Sequence, residues 1–478
     1  MVEHDSWHRA GTLSALATAL ATALTLGGCM SFIPAYERPA APVASAYAPE
    51  LLPAEGGDAT AAAEVEWQRY FADARLKRLI EIALQNNRDL RVAVLGIEQA
   101  RAAYQVRRAD ELPTLGAGLT AQRQASGGSL VNSYAVGLTV TGYELDFFGR
   151  VRALSQSALA QYMATEEARK TVQIALVAAV ANTHLSLLAD DELLRVTRET
   201  LATREDSFKL TKLKFDNGAS SELDLRQSEQ LLEGARATLA ATRRQRSLDE
   251  NALVLLLGQP LPADLPAATP LATQPALRDL PAGLPSDLLA RRPDVRAAEQ
   301  QLRAANANIG AARAAFFPRI TLTANAGTAS TELSGLFKSG TFAITGVAQL
   351  LQPIFDAGRN QANLDVAKVN RDIAVAQYEK AIQTAFREVS DSLAGRATLG
   401  EQLRAQTAQA NAAQVSYKLA DLRYRNGASS YLDVLDAQRN LFAAQQATVQ
   451  VQALQAQNLV TLYKVLGGGW FEPARASN

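Results

Sequence analysis

Metal and acid-base chemistry are poorly supplied in this chain of 478 residues, which carries three histidines, three methionines and one cysteine. His4 and His8 fall in a segment read below as a leader, leaving His184 alone mid-helix, where packing or a surface position is expected over a ligand role. No paired catalytic groups can be assembled, so an enzyme is not supported and no metal or cofactor is expected. No GxxxxGK[ST] phosphate loop occurs. Net charge is zero and basic residues form no long run, which disfavours nucleic acid or an acidic polymer as partner. Aromatics make up only 6% of the chain, while alanine is abundant and long stretches lack proline. That mixture suits extended helix better than a compact α/β enzyme. Beyond the leader no segment reads as apolar enough for a membrane helix, so any spanning structure must be β.

What is present begins with Leu13 to Leu26, a short apolar run ending in "LGGC" with Cys29 last. It is too short to span a bilayer and resembles a bacterial lipoprotein signal, in spite of Arg9 being the only basic residue before it. The resemblance implies that residues 1–28 are removed and that Cys29 carries a covalent lipid. Met30 after it, where an aspartate is absent, resembles lipoproteins sorted to the outer membrane. Residues 29–63, rich in Ala and Pro, read as an extended tether without the apolar content for a core.

The rest is a duplication. "KFDNGASSELDL" from Lys214 returns as "RYRNGASSYLDV" from Arg423, and the proline-dense stretch 259–293 separates two near-equal halves, 64–258 and 294–470, with 471–478 as a tail. A shift of 205 lays "NNRDLRVA" at Asn86 on "RRPDVRAA" at Arg291. A shift of 209 lays Gly149-Arg150 on Gly358-Arg359, Asn217 on Asn426 and Gly258 on Gly467.

Each copy opens with a helix and then alternates apolar and polar residues over two strands, about 114–147 and about 319–353. About ten residues per strand suits a tilted bilayer crossing, and also a soluble hairpin with one wet face. Four strands cannot close a barrel; in lipid, several chains would have to contribute. Glycine is then absent from Gly149 to Gly218 and proline until Pro260, so long helices are expected over 149–215 and 358–424. A seven-residue seam, Val180, Leu187, Leu194, Leu201, Phe208 and Phe215, fits helices packed side by side. Asn217-Gly218 and Asn426-Gly427 supply the turns, and Ser221-x-x-Asp224 and Ser430-x-x-Asp433 read as capping boxes that restart helices over 221–257 and 430–466.

The stretches "WQRYFADARLKRLIEIALQNNRDL", "GLPSDLLARRPDVRAAE", "QPIFDAGR", "NGASSYLDVLDAQRNLF" and "LYKVLGGGW", in this order from Trp67 to Trp470, make the chain resemble the TolC-like outer-membrane efflux channels, in their lipoprotein branch. The resemblance implies a mixed α and β membrane protein. It would be a homotrimer whose four strands per chain close a 12-stranded β-barrel, continued by a long α-helical barrel into the periplasm. It also implies an inner-membrane RND-type pump and a periplasmic adaptor (membrane fusion protein) as partners, and small-molecule export across the outer membrane. A secretion or metal-export channel of the same fold, or a periplasmic coiled-coil adaptor lipoprotein, are the alternatives. Methionine or histidine clusters expected for metal export are absent, and an adaptor would need no membrane strands.

In that family the periplasmic end closes at the hairpin turns of the second copy, which match Tyr424, Leu432, Asp433, Asp436 and Arg439 here. Asp433 has an ordinary helix-capping role as well, shared with Asp224. Asp436 replaces Gln227 and lies one turn from Asp433, so a ring of carboxylates is expected to repel unless Arg439 compensates. Ser429 stands where some members carry a closing arginine. Asp190, Asp191 and Glu192 read as a solvated helix face.

Overall fold

The computed structural model describes residues 31–51, 62–126, 129–273 and 291–470. The leader, Cys29, residues 52–61, residues 274–290 of the inter-repeat stretch and the tail lie outside the described residues. Leaving single turns aside, the first repeat contains α1 (Ala74–Asn86), α2 (Arg88–Ala109), β1 (Leu115–Ser126), β2 (Ser129–Glu144), α3 (Arg150–Asp216) and α4 (Glu222–Leu257). The second repeat contains α5 (Pro293–Ala314), β3 (Arg319–Ser330), β4 (Phe342–Leu351), α6 (Arg359–Arg425) and α7 (Tyr431–Val465). At 1.5 Å per residue, α3 and α6, each of 67 residues, are about 100 Å long.

The compact units do not follow the repeats. One draws on Met1–Ala40, Gly96–Thr165 and Ala297–Tyr378, the other on Ala41–Leu95, Glu166–Arg296 and Glu379–Asn478. Each repeat therefore gives its strand pair to one unit and its helical hairpin to the other.

In the first unit the four strands form one antiparallel sheet in sequence order, and β2 pairing with β3 joins the two copies. Leu115 faces Val140, Tyr134 faces Ser330 and Thr328 faces Phe342. Among the described residues, nothing pairs with the outer edges of β1 and β4. Phe342, Ile344, Val347 and Leu350 on β4 are exposed, as strands facing lipid or a further chain would be. At the sheet's base Glu144 receives Arg150 at 2.6 Å and Arg319 at 2.6 Å. Residues before Ala40 are extended, as expected of a tether, yet they are pinned along α5. Phe32 stacks on Phe317 at 4.6 Å, Arg38 grips both oxygens of Glu299, and Asn306 donates to the Pro34 carbonyl at 2.8 Å. The anchoring is polar and aromatic, so counting aliphatic residues missed it.

The second unit holds the helical core. Asp73 caps α1 by accepting from the Arg75 and Leu76 amides, and Leu76, Leu79, Ile80 and Ala83 are buried. Two equivalent joints show how the duplication persists. Asn87 Nδ2 donates to the Leu256 carbonyl at 2.9 Å; its counterpart Arg292 donates through Nη1 to Val465, the counterpart of Leu256, at 3.0 Å. Beside them Gly258 (φ 68°) lies against the Asn86 carbonyl and Gly467 (φ 86°) against that of Arg291, where a side chain would be strained by φ and crowded by the backbone.

Two sequence expectations need correction. One stretch of α3 is in fact long and apolar enough, by composition, to cross a membrane, but 56% of it is buried inside the protein, as in a core helix. The acidic run on α3 is not a uniformly solvated face. Asp190 is buried, Asp191 pairs with Arg246 at 2.6 Å, and Glu192 with Arg195 at 2.6 Å. One helix read alone could not reveal that α4 packs over it. Of the two places left open for His184, packing and surface, the structure shows the first: the side chain is buried, its Nε2 standing 3.4 Å from Asp73 Oδ2.

Candidate functional site

Both hairpin tips are built by the same local chemistry. Gly218 and Gly427 each take φ 74°, and their amides donate to Phe215 and Tyr424 at 2.9 and 3.0 Å. Asn217 and Asn426 each return their side-chain amide to the carbonyl four residues earlier, Leu213 and Leu422, at 2.7 Å. Both capping boxes are closed. Asp224 accepts from the Ser221 amide and Asp433 from the Ser430 amide, each at 3.2 Å, while the serine hydroxyls accept from the aspartate amides.

The tips differ beyond the cap. On α7 Tyr431, Val434 and Leu435 are buried, with Leu231, Tyr417, Ala420 and Tyr424 packed against them. Tyr431 and Tyr424 have ring centroids 5.2 Å apart, and burial pushes the Tyr431 phenol up, against the opposing pull of Thr211 and Ser207. On α4 the corresponding positions are Glu222, Leu225 and Arg226, and Arg226 forms an exposed ladder with Glu222 and Glu229.

The residues expected from the sequence are placed as follows. Tyr424 joins the apolar cluster, and Lys214 of the first repeat both donates to its hydroxyl at 3.0 Å and sits 4.2 Å above its ring. Asp433 is exposed and engaged in the cap. Asp436 is paired with Arg439 at 3.2 Å, so Arg439 compensates it within the chain. Leu432 is 48% exposed and stands outside the cluster. Ser429 keeps a buried hydroxyl without a hydrogen-bond partner, whereas its counterpart Ser220 donates to Asp224 at 3.0 Å.

Two features escaped sequence reasoning. Lys214 precedes Phe215, the counterpart of Tyr424, so the 209 shift marks the position without revealing the contact across repeats. Gln438 Nε2 donates to Ser207 at 3.2 Å, a second bridge between repeats with no sequence signal. Among the described residues no cluster of His, Cys, Asp and Glu suits a metal ion.

The outer membrane efflux protein family matches the chain twice, over residues 79–259 and 284–468. The probable efflux pump outer membrane protein TtgC of Pseudomonas putida is 48% identical over 468 residues, covering 96% of both chains. The outer membrane protein OprJ of Pseudomonas aeruginosa is 46% identical over 463 residues, covering 95% of this chain and 96% of its own. The open state of the Neisseria gonorrhoeae MtrE outer membrane channel superposes with a TM-score of 0.84 at 42% identity, covering 92% of this chain and 98% of that one.

Proposed function

Because the chain belongs to the outer membrane efflux protein family, we propose that it is the passive outer-membrane channel of a tripartite pump, exporting drugs and other small toxic compounds. Relatives in this family are efflux-pump proteins of the outer membrane, not enzymes, and the cell outer membrane is the place of this chain. The observation that carries the reading is the four-stranded sheet, open at β1 and β4 and joined to long helical hairpins in one chain. An open edge in lipid leaves backbone groups unsatisfied, so three copies would close the strands into a 12-stranded barrel. Their hairpins would continue the conduit through the periplasm. An inner-membrane RND-type pump would supply the energy, an adaptor would dock at the tips, and Cys29 would carry the lipid.

Closure is assigned to the second-repeat tip, at Tyr424, Leu432, Asp433, Asp436 and Arg439, with the turns at Asn217, Gly218, Asn426 and Gly427 shaping both bends. What supports it is that this tip packs an aromatic cluster and a charge pair where the first repeat carries a solvated ladder. The test is conductance of the purified full-length protein in planar bilayers. A small, steady conductance is expected; none from well-inserted protein would contradict the channel reading.

A further inference from the structure

Arg204, on α3, is a buried charge with no counter-charge among the described residues. It is 6% exposed, and Nη1 donates to the Leu231 carbonyl at 2.9 Å. Its Cζ stands 5.2 Å from the Phe442 ring centroid, and its buried Nε has no hydrogen-bond partner. The neighbouring charge that bears on it is Arg439, of like sign. The acids around it are committed elsewhere: Glu199 to Arg195 at 2.7 Å, Glu205 to Arg236 at 3.5 Å, Asp436 to Arg439 at 3.2 Å. A guanidinium does not shed its proton to escape burial, so an ion or polar partner is the remaining way to satisfy it.

The space for that partner exists. A cavity of about 140 Å³ opens at Arg204 between α3, α6 and α7, lined by Thr200, Thr203, Gln414, Gln438 and Gln445, with the Glu199 carboxylate also on its wall but paired to Arg195. That is nearly five times the share of one liquid water, about 30 Å³. Hydroxyls and side-chain amides surround the guanidinium, and Gln438 Oε1 is likewise buried without a partner. The position is specific to the first repeat, since the 209 shift places Ala413 opposite.

We propose that this cavity is an anion site, in which Arg204 pairs with one carboxylate or comparably small oxyanion held between the hairpins of the two repeats. The planar fork of arginine matches a carboxylate through two parallel bonds, and the burial of Arg204 strengthens the pairing. The anion is either free in the periplasm or an acidic side chain of a neighbouring copy; the chemistry at Arg204 is the same. The inference goes beyond the channel reading, and only the second source depends on the trimer proposed above.

The test uses the full-length protein in detergent. Sodium acetate replaces a bulky buffer anion at constant ionic strength while thermal melting is followed, for the wild type beside Arg204→Met and Arg204→Lys. A free-anion site predicts a wild-type Tm that climbs with the logarithm of acetate concentration above the Kd, by about 2 °C at ten times the Kd. Arg204→Met should show none, and Arg204→Lys part of it. Equilibrium dialysis with labelled acetate on the wild type reads the same site without relying on a variant that folds. If acetate neither binds nor stabilises, but Arg204→Met makes the trimer dissociate more readily, the carboxylate comes from a neighbouring copy. If acetate has no effect and the Arg204→Met trimer is as stable as the wild type, the proposal is overturned.

Discussion

The two helical hairpins share a turn and diverge within two helical turns of it. In the first repeat the return helix presents Glu222, Arg226 and Glu229 to solvent; in the second, the positions of Glu222 and Arg226 are Tyr431 and Leu435, both buried. The difference teaches that turn chemistry and tip function are separable. Gly, Asn and the capping box fix the bend in both copies, while residues one to six positions after the cap decide whether the helix faces water or its neighbour.

The largest expected effect lies in that cluster. Tyr431→Ala or Leu435→Ala should destabilise the second tip locally by about 3 kcal/mol, lowering amide-exchange protection there by about a hundredfold. Glu222→Ala and Arg226→Ala at the matching positions should leave protection unchanged, because an exposed ladder contributes little. Equal losses at both tips would erase the distinction.

A second contrast lies farther up the hairpins. Asp190 and Asp249 face each other in the first repeat, where the 209 shift places Leu399 and Asn458 in the second. Burial foremost, then the hydrogen bond and charge of Asp249, push Asp190 up to about 7 from 3.8. The folded chain thus holds a proton that the unfolded chain loses near pH 4. The resulting stability is present below that pH and lost as pH rises through about 7. Melting at pH 5 and pH 8 should differ on the order of 1 kcal/mol, after allowing for screening, and Asp190→Asn should remove the difference.

The smallest effect concerns the serines before the caps. Ser220→Ala gives up a hydrogen bond to Asp224 and should cost about 1 kcal/mol. Ser429→Ala removes a buried hydroxyl without a partner and should be neutral or slightly stabilising in the same melting assay.

What the sequence made legible follows the same division. The duplication, the turns, the capping boxes and the proline-free long helices are encoded in the chain's local pattern, and could be read there. The alternation in β1 to β4 was legible as strand, and the structure adds the register that joins the copies through β2 and β3. Contacts between distant elements were not legible. The Asn87 and Arg292 joints make equivalent bonds with unrelated side chains, so similarity alone conceals them. Asp190 looked solvated until α4 covered it, whereas the Asp436–Arg439 pair, three residues apart on one helix, was already named in the sequence as the possible compensation.

The central claim is that the second-repeat tip alone closes the conduit. Single-channel conductance in planar bilayers should be compared for wild type, Asp433→Ala/Asp436→Ala and the matching first-repeat pair Asp224→Ala/Gln227→Ala. A larger conductance is expected in the second-repeat variant and an unchanged one in the first-repeat variant. Equal increases in both, or an increase confined to the first, would contradict it.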